Sequence, residues 1–328
     1  MDISQVPELV QNTGWPLVVQ KYDTNALVYP LLGEVLPVTD DTILGEKGQV
    51  LTGMGRPKRL EHGQEIQADQ FGSAHTWYLK THKLGHRIDL PFEMIRSANA
   101  AGRIANIIAE QTTSAVERAM LEKEDYIADM FQKGTLTAGS LDFFDNRFPN
   151  ETDPNPTLIY DALPWFDTAH TTTVGSSTYS NHTVSGALSI ANLEAQDTLM
   201  SVTSAFDDRE ERINIRPDTL LVPTGAQAFT ASTLLESLLK PGSANNDANS
   251  MLGKYNLIPW AALDDAASAS AWWLGVAGKG LRIRDSGAPQ IGTFIDEKKE
   301  VVSVKWVTYF GATVTDWRYW SNANKAAA

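Results

Sequence analysis

The sequence predicts an α+β fold, and three observations predict it. Residues 92–133 keep apolar side chains at helical spacing over a length unusual for a globular helix. A polar, hairpin-like segment comes before that helix, and a β-rich tail closes the chain. Between helix and tail, short helices and strands alternate as in a compact α/β unit.

Taken in order, residues 1–45 space Pro7, Pro16, Pro30 and Pro37 among short apolar pieces such as Trp15-Pro16-Leu17-Val18-Val19. Each proline fixes φ and turns the preceding residue away from helix. An extended N-terminal arm is expected; an irregular start to a globular domain is the alternative.

Residues 46–89 reverse the charge bias of the chain. Lys47, Arg56, Lys58, Arg59, Lys80, Lys83 and Arg87 outnumber Glu46, Glu61, Glu65, Asp69 and Asp89. His62, His75, His82 and His86 lie here too. Gly53-Met54-Gly55-Arg56-Pro57-Lys58-Arg59 is a turn with a basic tip, and 74–79 leans towards strand. The segment reads as a long two-stranded hairpin. A hairpin this polar buries little of its own surface and is marginal alone in water. A neighbouring copy is its expected support, with Arg56, Lys58, Arg59 and His62 at the tip as contact residues.

For the helix, Asp89 can cap, Pro91 fits the first turn and Glu93 suits the positive end of the dipole. The stripe runs through Phe92, Ile95, Ala98, Ala101, Ile104, Ile108, Ala115, Ala119, Ile127 and Met130, and Lys133-Gly134 stops it. Unbroken from 92 to 133 it would span about 63 Å. Leu and Ile do not recur in heptads, so a helix lying across a sheet is expected in place of a coiled coil.

Residues 134–187 are rich in turn formers, with strand pieces at Leu158-Ile159-Tyr160 and Trp165-Phe166. Residues 188–292 read as the α/β unit. A helix runs through Leu193, Leu199, Met200 and Phe206. A buried strand, Thr219-Leu220-Leu221-Val222, ends at Pro223. A second helix carries Ala228, Phe229, Leu234, Leu235, Leu238 and Leu239. Strands follow at 256–258, 271–276 and 281–284. In the tail, Val302, Val304, Trp306, Thr308 and Phe310 share one strand face, and Thr313, Thr315, Trp317 and Tyr319 share the next. Gly311 reads as a turn or bulge making the two runs a hairpin. Residues from 322 onward look frayed.

Composition narrows the function. The chain has 328 residues, is 42% hydrophobic and 20% charged, and carries a net charge of −13. That balance suits a packed core of about two domains and disfavours a general nucleic-acid binder, which needs clustered cations. Cysteine is absent, which excludes disulfides, thiolate-held metals and thiol nucleophiles. No basic, apolar leader opens the sequence and no run reaches a membrane span. A soluble protein made in the cytosol and not exported is expected, with the sequons at Asn150 and Asn181 as chance matches.

The search for chemistry gives little. Gly275-Val276-Ala277-Gly278-Lys279-Gly280 lacks the spacing and the Ser/Thr of a phosphate loop, and Gly53-Met54-Gly55 lacks a third glycine. No nucleophile elbow occurs. His82 and His86 have the spacing of helical metal ligands, but Leu84-Gly85 reads as strand, so solvated or interface histidines are expected. His170 is expected to bond locally in a loop. Asp207-Asp208-Arg209-Glu210-Glu211 and Asp264-Asp265 read as solvated faces. Trp272-Trp273 resembles a recognition pair, although one of two adjacent strand residues ordinarily faces the core. No catalytic, cofactor or metal site is expected, and the chain is not expected to be an enzyme.

The element order resembles the major capsid protein of tailed phages, the Hong Kong 97-type fold. Leu220-Leu221-Val222-Pro223 before an Ala-rich helix, then Trp272-Trp273-Leu274, then Asp316-Trp317-Arg318, is similar to the Mu-like major head subunit group. The resemblance implies an N-arm (1–45), an E-loop (46–89), a spine helix (91–133), a P-domain (90–187 with 293–322) and an A-domain (188–292), leaving 323–328 as a frayed tail. It implies hexamers and pentamers that close an icosahedral shell in the virion, around double-stranded DNA held non-specifically. Portal, scaffold and decoration proteins would be further partners. A Lys–Asn crosslink, for which Lys47, Lys58, Asn322 and Asn324 could be imagined, is not expected. An encapsulin-type compartment shell of the same fold is a close alternative. A cytosolic α/β hydrolase or binding protein, with a pocket and converging polar groups, is the alternative of a different class.

Overall fold

The computed structural model describes residues 5–24, 27–51, 59–65, 73–97, 100–136, 159–172, 175, 177–241, 247–265 and 269–324. The first half contains α1 (Val6–Thr24), α2 (Tyr29–Leu32), β1 (Glu34–Pro37), β2 (Gly45–Leu51), β3 (Ser73–Lys80), β4 (His82–Pro91), α3 (Phe92–Arg96) and α4 (Ala100–Lys133). Three two-residue strands follow, β5 (His170–Thr171), β6 (Thr178–Tyr179) and β7 (His182–Thr183), and then α5 (Ile190–Thr198). The rest comprises β8 (Thr219–Pro223), α6 (Ala226–Glu236), β9 (Asn256–Trp260), β10 (Trp272–Gly275), β11 (Leu281–Asp285), β12 (Gln290–Asp296), β13 (Val301–Val314) and β14 (Trp320–Ala323).

Two sheets organise these elements. The first runs β1-β11-β13-β12, with β4 also paired to β13. The second runs β7-β14-β10-β8-β9. The long helix crosses the first sheet, as its one-sided stripe predicts. Ile104, Ile108, Val116 and Met120 pack with Leu90, Val302, Val304 and Trp306 of the sheet. Further along, Ile127, Met130 and Phe131 enter a second core between the sheets, with Ile283, Phe310, Trp273 and Trp320. A third core lies on the other side of the second sheet, where Leu220, Val222, Trp272 and Leu274 meet Leu193, Leu234 and Leu235. Trp272 and Trp273 therefore both face a core, one on each side of β10, and neither is exposed. That corrects the recognition-pair reading.

Several expectations fail for identifiable reasons. The N-terminal region is not extended: Val6, Val10 and Val18 recur at helical spacing and are sealed against α4. This burial outweighs Pro16 inside α1, a substitution that costs a helix interior about 3 kcal/mol. Helix α1 packs closely at Gly14, where a Cβ would sit 2.8 Å from Ile291 Cδ1 of β12 and 3.4 Å from Thr112 Oγ1 of α4. The long helix is not continuous from 92, because Ser97 turns to extended backbone (ψ 155°) and separates α3 from α4. The strand pieces at 158–160 and 165–166 are not strands. Ile159, Trp165 and Phe166 are core residues held by turns, and Leu158 lies outside the described residues.

In the tail, Gly311 is neither turn nor bulge but part of the unbroken strand β13. Its missing Cβ lets the Lys80 carbonyl approach, which would otherwise lie 2.2 Å from that carbon. After a 3-10 turn over Trp317–Tyr319, β14 does not return along β13; it inserts into the second sheet between β7 and β10. Asn322 and Ala323 are buried strand residues, not a frayed end, and 325–328 lie outside the described residues. Strand β11 also leaves the α/β block assigned to 188–292, since it pairs with β1 and β13. Leu238 and Leu239 lie beyond the end of α6 and are exposed. No described helix is long and apolar enough to cross a membrane.

Candidate assembly surface

The hairpin is narrower than 46–89. Strands β2 and β3 pair antiparallel from Gly45↔Lys80 to Leu51↔Ser73, whereas His82–Pro91 leaves as β4 and pairs with β13 from Phe310 to Val301. His82 and His86 thus stand on a strand of the main sheet, half-buried and exposed respectively. Helical ligand spacing does not apply there, and the described residues hold no cluster able to bind a metal ion.

The root of the hairpin is fastened to its own chain. Arg284 Nε donates to Glu46 Oε2 at 2.6 Å, and Arg282 donates to Glu46 Oε1 at 2.9 Å and to Glu34 Oε2 at 3.4 Å. Arg282 also lies over the Trp77 ring, 5.1 Å from its centroid. Gly48 faces the same indole, which a Cβ there would overlap at 2.0 Å. Glu46 is therefore the acidic centre of a clasp in which two guanidiniums each bond one carboxylate oxygen, charge-assisted hydrogen bonds that are stronger than neutral ones.

A second fastening lies further along. His75 on β3 approaches Asp208 Oδ1 at 3.4 Å and packs on the Tyr160 ring at 4.5 Å. Arg318 donates to the same Asp208 oxygen at 3.0 Å, to Asp316 at 3.2 Å and to the Phe206 carbonyl at 2.7 Å. Burial alone would raise the Asp208 carboxyl. The His75 hydrogen bond and the Arg318 charge overcome it and hold the group down at about 2. Asp208 is a buried ion-pair partner, which corrects the reading of this acidic cluster as a solvated face. Burial also works against charge on Arg318, but Asp316 and Asp208 outweigh it and raise its pKa.

The tip is different. Residues 59–65 are all exposed. His62 stands on a turn closed by Gln64 N–H to the Glu61 carbonyl at 3.1 Å, with the Gln64 side chain returning to Glu61 N–H at 3.1 Å, and Arg59 lies two residues before it. Arg56 and Lys58 lie outside the described residues. Leu60 is exposed beside Arg59. The arrangement is a hairpin gripped at root and middle, with exposed residues of both charge signs at 59–65 between its strands.

No protein-family model matches the chain, and no curated protein matches it. Among solved structures, it is similar to the capsid of a native GTA particle at 13% identity, over 90% of this chain and 89% of that one, with a TM-score of 0.47. It is similar to Gordonia phage Cozz at 13% identity, over 93% and 89%, with a TM-score of 0.47. It is also similar to the procapsid of bacteriophage JBD30 at 10% identity, over 98% and 75%, with a TM-score of 0.46.

Elsewhere the polar groups serve structure. His170 is buried between Asp161 (2.6 Å) and Asn181 (3.2 Å), stacked on Trp317 at 4.1 Å. The hydrogen bonds to Asp161 and Asn181 are with near neighbours in sequence, as expected, but the residue lies on β5 and is buried against Trp317, not in a loop. Asn181 donates to the carbonyls of Trp165, Trp317 and Trp320. Gly275–Gly280 is the β10–β11 turn, with positive φ at Gly278 and Gly280. Asp264 holds the Thr224 N–H at 2.7 Å. Sequence reasoning missed the Glu46 clasp and the Asp208–Arg318 pair. Arg282 and Arg284 alternate on one strand, which puts both on one face and signals an acidic partner. Apart from Asp316 two residues before it, the partners of Arg318, Asp208 and the Phe206 carbonyl, are more than 100 residues away in sequence and left no local signal.

Proposed function

We propose that this chain is the major capsid subunit of a tailed phage, built on the Hong Kong 97-type plan and assembling into hexamers and pentamers that close an icosahedral shell around DNA. The observation that carries this reading is the hairpin. Its root and middle are fixed by Glu46 and His75 to the subunit body, while its described tip residues are exposed throughout. Ordering such a projection costs conformational entropy that burial within one subunit does not return. Contact with neighbouring copies returns it.

On this reading residues 1–45 form the N-arm region, with α1 docked on the spine. The β2–β3 hairpin is the E-loop, and α3 with α4 is the spine helix. The first sheet belongs to the P-domain, including β11 and β12. The second sheet with α5 and α6 forms the A-domain. The motifs at 220–223, 272–274 and 316–318 support a likeness to the Mu-like group within this proposal. The role is structural, its site is the virion, and portal, scaffold and decoration proteins are its natural further partners.

Electron microscopy of the purified protein, with its mass by light scattering, tests the reading. Closed shells, or rings of five and six subunits, are expected. A monomer whose hairpin resists protease would overturn it. Particles that carry a cargo protein and no DNA would turn it to the compartment alternative.

A further inference from the structure

We propose that Lys123 and Asp285 are the two halves of a modification site, where an isopeptide bond forms within one chain and joins α4 to β11. The inference goes beyond the capsid reading and does not depend on it, since a monomer would carry the bond as well as a shell subunit would. Until the bond forms, the two residues act as a buried ion pair.

Four elements assemble the site. Lys123 Nζ on α4 lies 2.6 Å from Asp285 Oδ1 at the end of β11, and neither side chain is more than 6% exposed. The same nitrogen donates to the Gly287 carbonyl at 2.9 Å. Tyr22 of α1 donates to Asp285 Oδ2 at 3.1 Å, and Tyr29 of α2 donates to the same oxygen. The Gly287 N–H donates to Oδ1 at 2.8 Å. The rings of Tyr22 and Phe310 flank the lysine, their centroids 5.3 and 5.7 Å from Nζ. Nucleophile, carboxyl group and hydrogen-bond donors are thus held together before any reaction, which lowers the entropic part of the barrier.

Burial decides the chemistry. Water keeps both members of an exposed pair ionised, as in Lys21–Glu117 and Lys133–Asp129, where every side chain is more than a third exposed. Around Lys123, burial lowers the lysine pKa. That favours the neutral amine, which is the nucleophilic form. Turning two buried charges into one neutral amide also removes the desolvation cost of both.

The step balances without a co-reactant. Lys123 passes one ammonium proton to Asp285 Oδ1. The freed Nζ lone pair attacks Cγ, and the Cγ–Oδ2 π pair moves onto Oδ2. The Tyr22 and Tyr29 hydroxyls stabilise the negative charge there, as an oxyanion hole does. Burial, with Asp285 beside it, raises the Tyr29 pKa, so this hydroxyl keeps its proton and stays a donor. A second proton from the nitrogen goes to Oδ1, the Cγ–Oδ1 bond breaks, one water leaves, and the Cγ–Oδ2 double bond re-forms. The third hydrogen remains on the amide, beside the Gly287 carbonyl that already accepts from Nζ. The bond closes the chain from 123 to 285 into a loop, which restricts the unfolded ensemble.

The intact mass of the wild-type chain, measured under denaturing conditions, tests the proposal. A chain lighter by one water than its sequence requires is expected, with a proteolytic peptide that links the segments around 123 and 285. The full sequence mass, or a water loss located at other residues, overturns the proposal. Lys123→Arg keeps a cation on α4 but cannot form the amide, and it is expected to show its full mass with an unchanged circular dichroism spectrum. Water loss in that variant overturns the proposal too. Tyr29→Phe keeps the ring and removes one donor to Oδ2. In samples taken after cell-free synthesis, it is expected to slow the appearance of the lighter chain by roughly a hundredfold. An unchanged rate overturns the role given to that hydroxyl. Shell formation is read separately by microscopy, so failure of the bond and failure of the capsid reading are distinguishable.

Discussion

Lys123 and Asp285 form an ion pair at 2.6 Å, with the lysine side chain shut off from solvent. The pair joins the middle of α4 to the end of β11. Lys123 also donates to the Gly287 carbonyl at 2.9 Å, and Tyr22, Tyr29 and the Gly287 N–H all donate to Asp285. Burial lowers the Lys123 pKa, and Asp285 opposes that shift. Removing one partner leaves a buried charge unpaired. Lys123→Met should cost about 3–5 kcal/mol, read as a lower denaturant midpoint of the unassembled subunit. Replacing both residues with apolar ones should recover most of that loss.

The Asp208 carboxyl gives a pH prediction. Its folded value is about 2, against about 3.9 for an unfolded aspartate. The unfolded chain therefore binds the proton more readily. The stabilisation is complete above about pH 4 and drains away as pH falls towards 2, amounting to roughly 2–3 kcal/mol. Asp208→Asn should be less stable at neutral pH and should flatten this part of the profile. A denaturant series between about pH 2 and 5 measures it, and an unchanged slope in the variant would remove Asp208 as the cause.

Two glycines should respond in opposite directions. A Cβ at Gly311 would lie 2.2 Å from the Lys80 carbonyl oxygen, and neither backbone can yield easily. Gly311→Ala should lower the melting temperature and loosen the end of β3 from β13. Gly102 is exposed within α4 and has nothing within 4 Å of a built Cβ. Gly102→Ala should stabilise by up to about 1 kcal/mol through helix propensity. Thermal melts of both variants check the pair.

Reversing Arg56, Lys58 and Arg59 together to Glu should block assembly and leave the subunit folded. Circular dichroism checks the fold, and light scattering checks the assembly. Normal particles from the triple variant would show that the basic tip does not carry the contact.

The long helix, β8, β9, β10 and the first tail strand were legible in the sequence, because each buries one face or both and so leaves a periodic apolar record. The hairpin was legible as a change of charge and composition. Its limits were not. His82–Pro91 is as polar as the hairpin before it, and only pairing with β13 makes it a sheet strand. Arg59 and His62 are exposed, but the clasp at Glu46 and the anchor at Asp208 were invisible. Their partners come from distant parts of the chain, and carboxylates in loops look alike whether solvated or paired.

The sequence by itself determined the α+β class, the spine-like helix and the places where strands must be buried, since local periodicity and burial are written residue by residue. The tertiary structure alone decided that α1 is helical despite Pro16, that Gly311 lies inside a strand, and that β14 joins the second sheet. In each case a surface supplied by remote residues outweighed the local preference. For α1 it is the α4 face, for Gly311 the Lys80 carbonyl, and for β14 the edges of β7 and β10. Such long-range contacts are set by how the whole chain closes its cores, and no short window of sequence contains them.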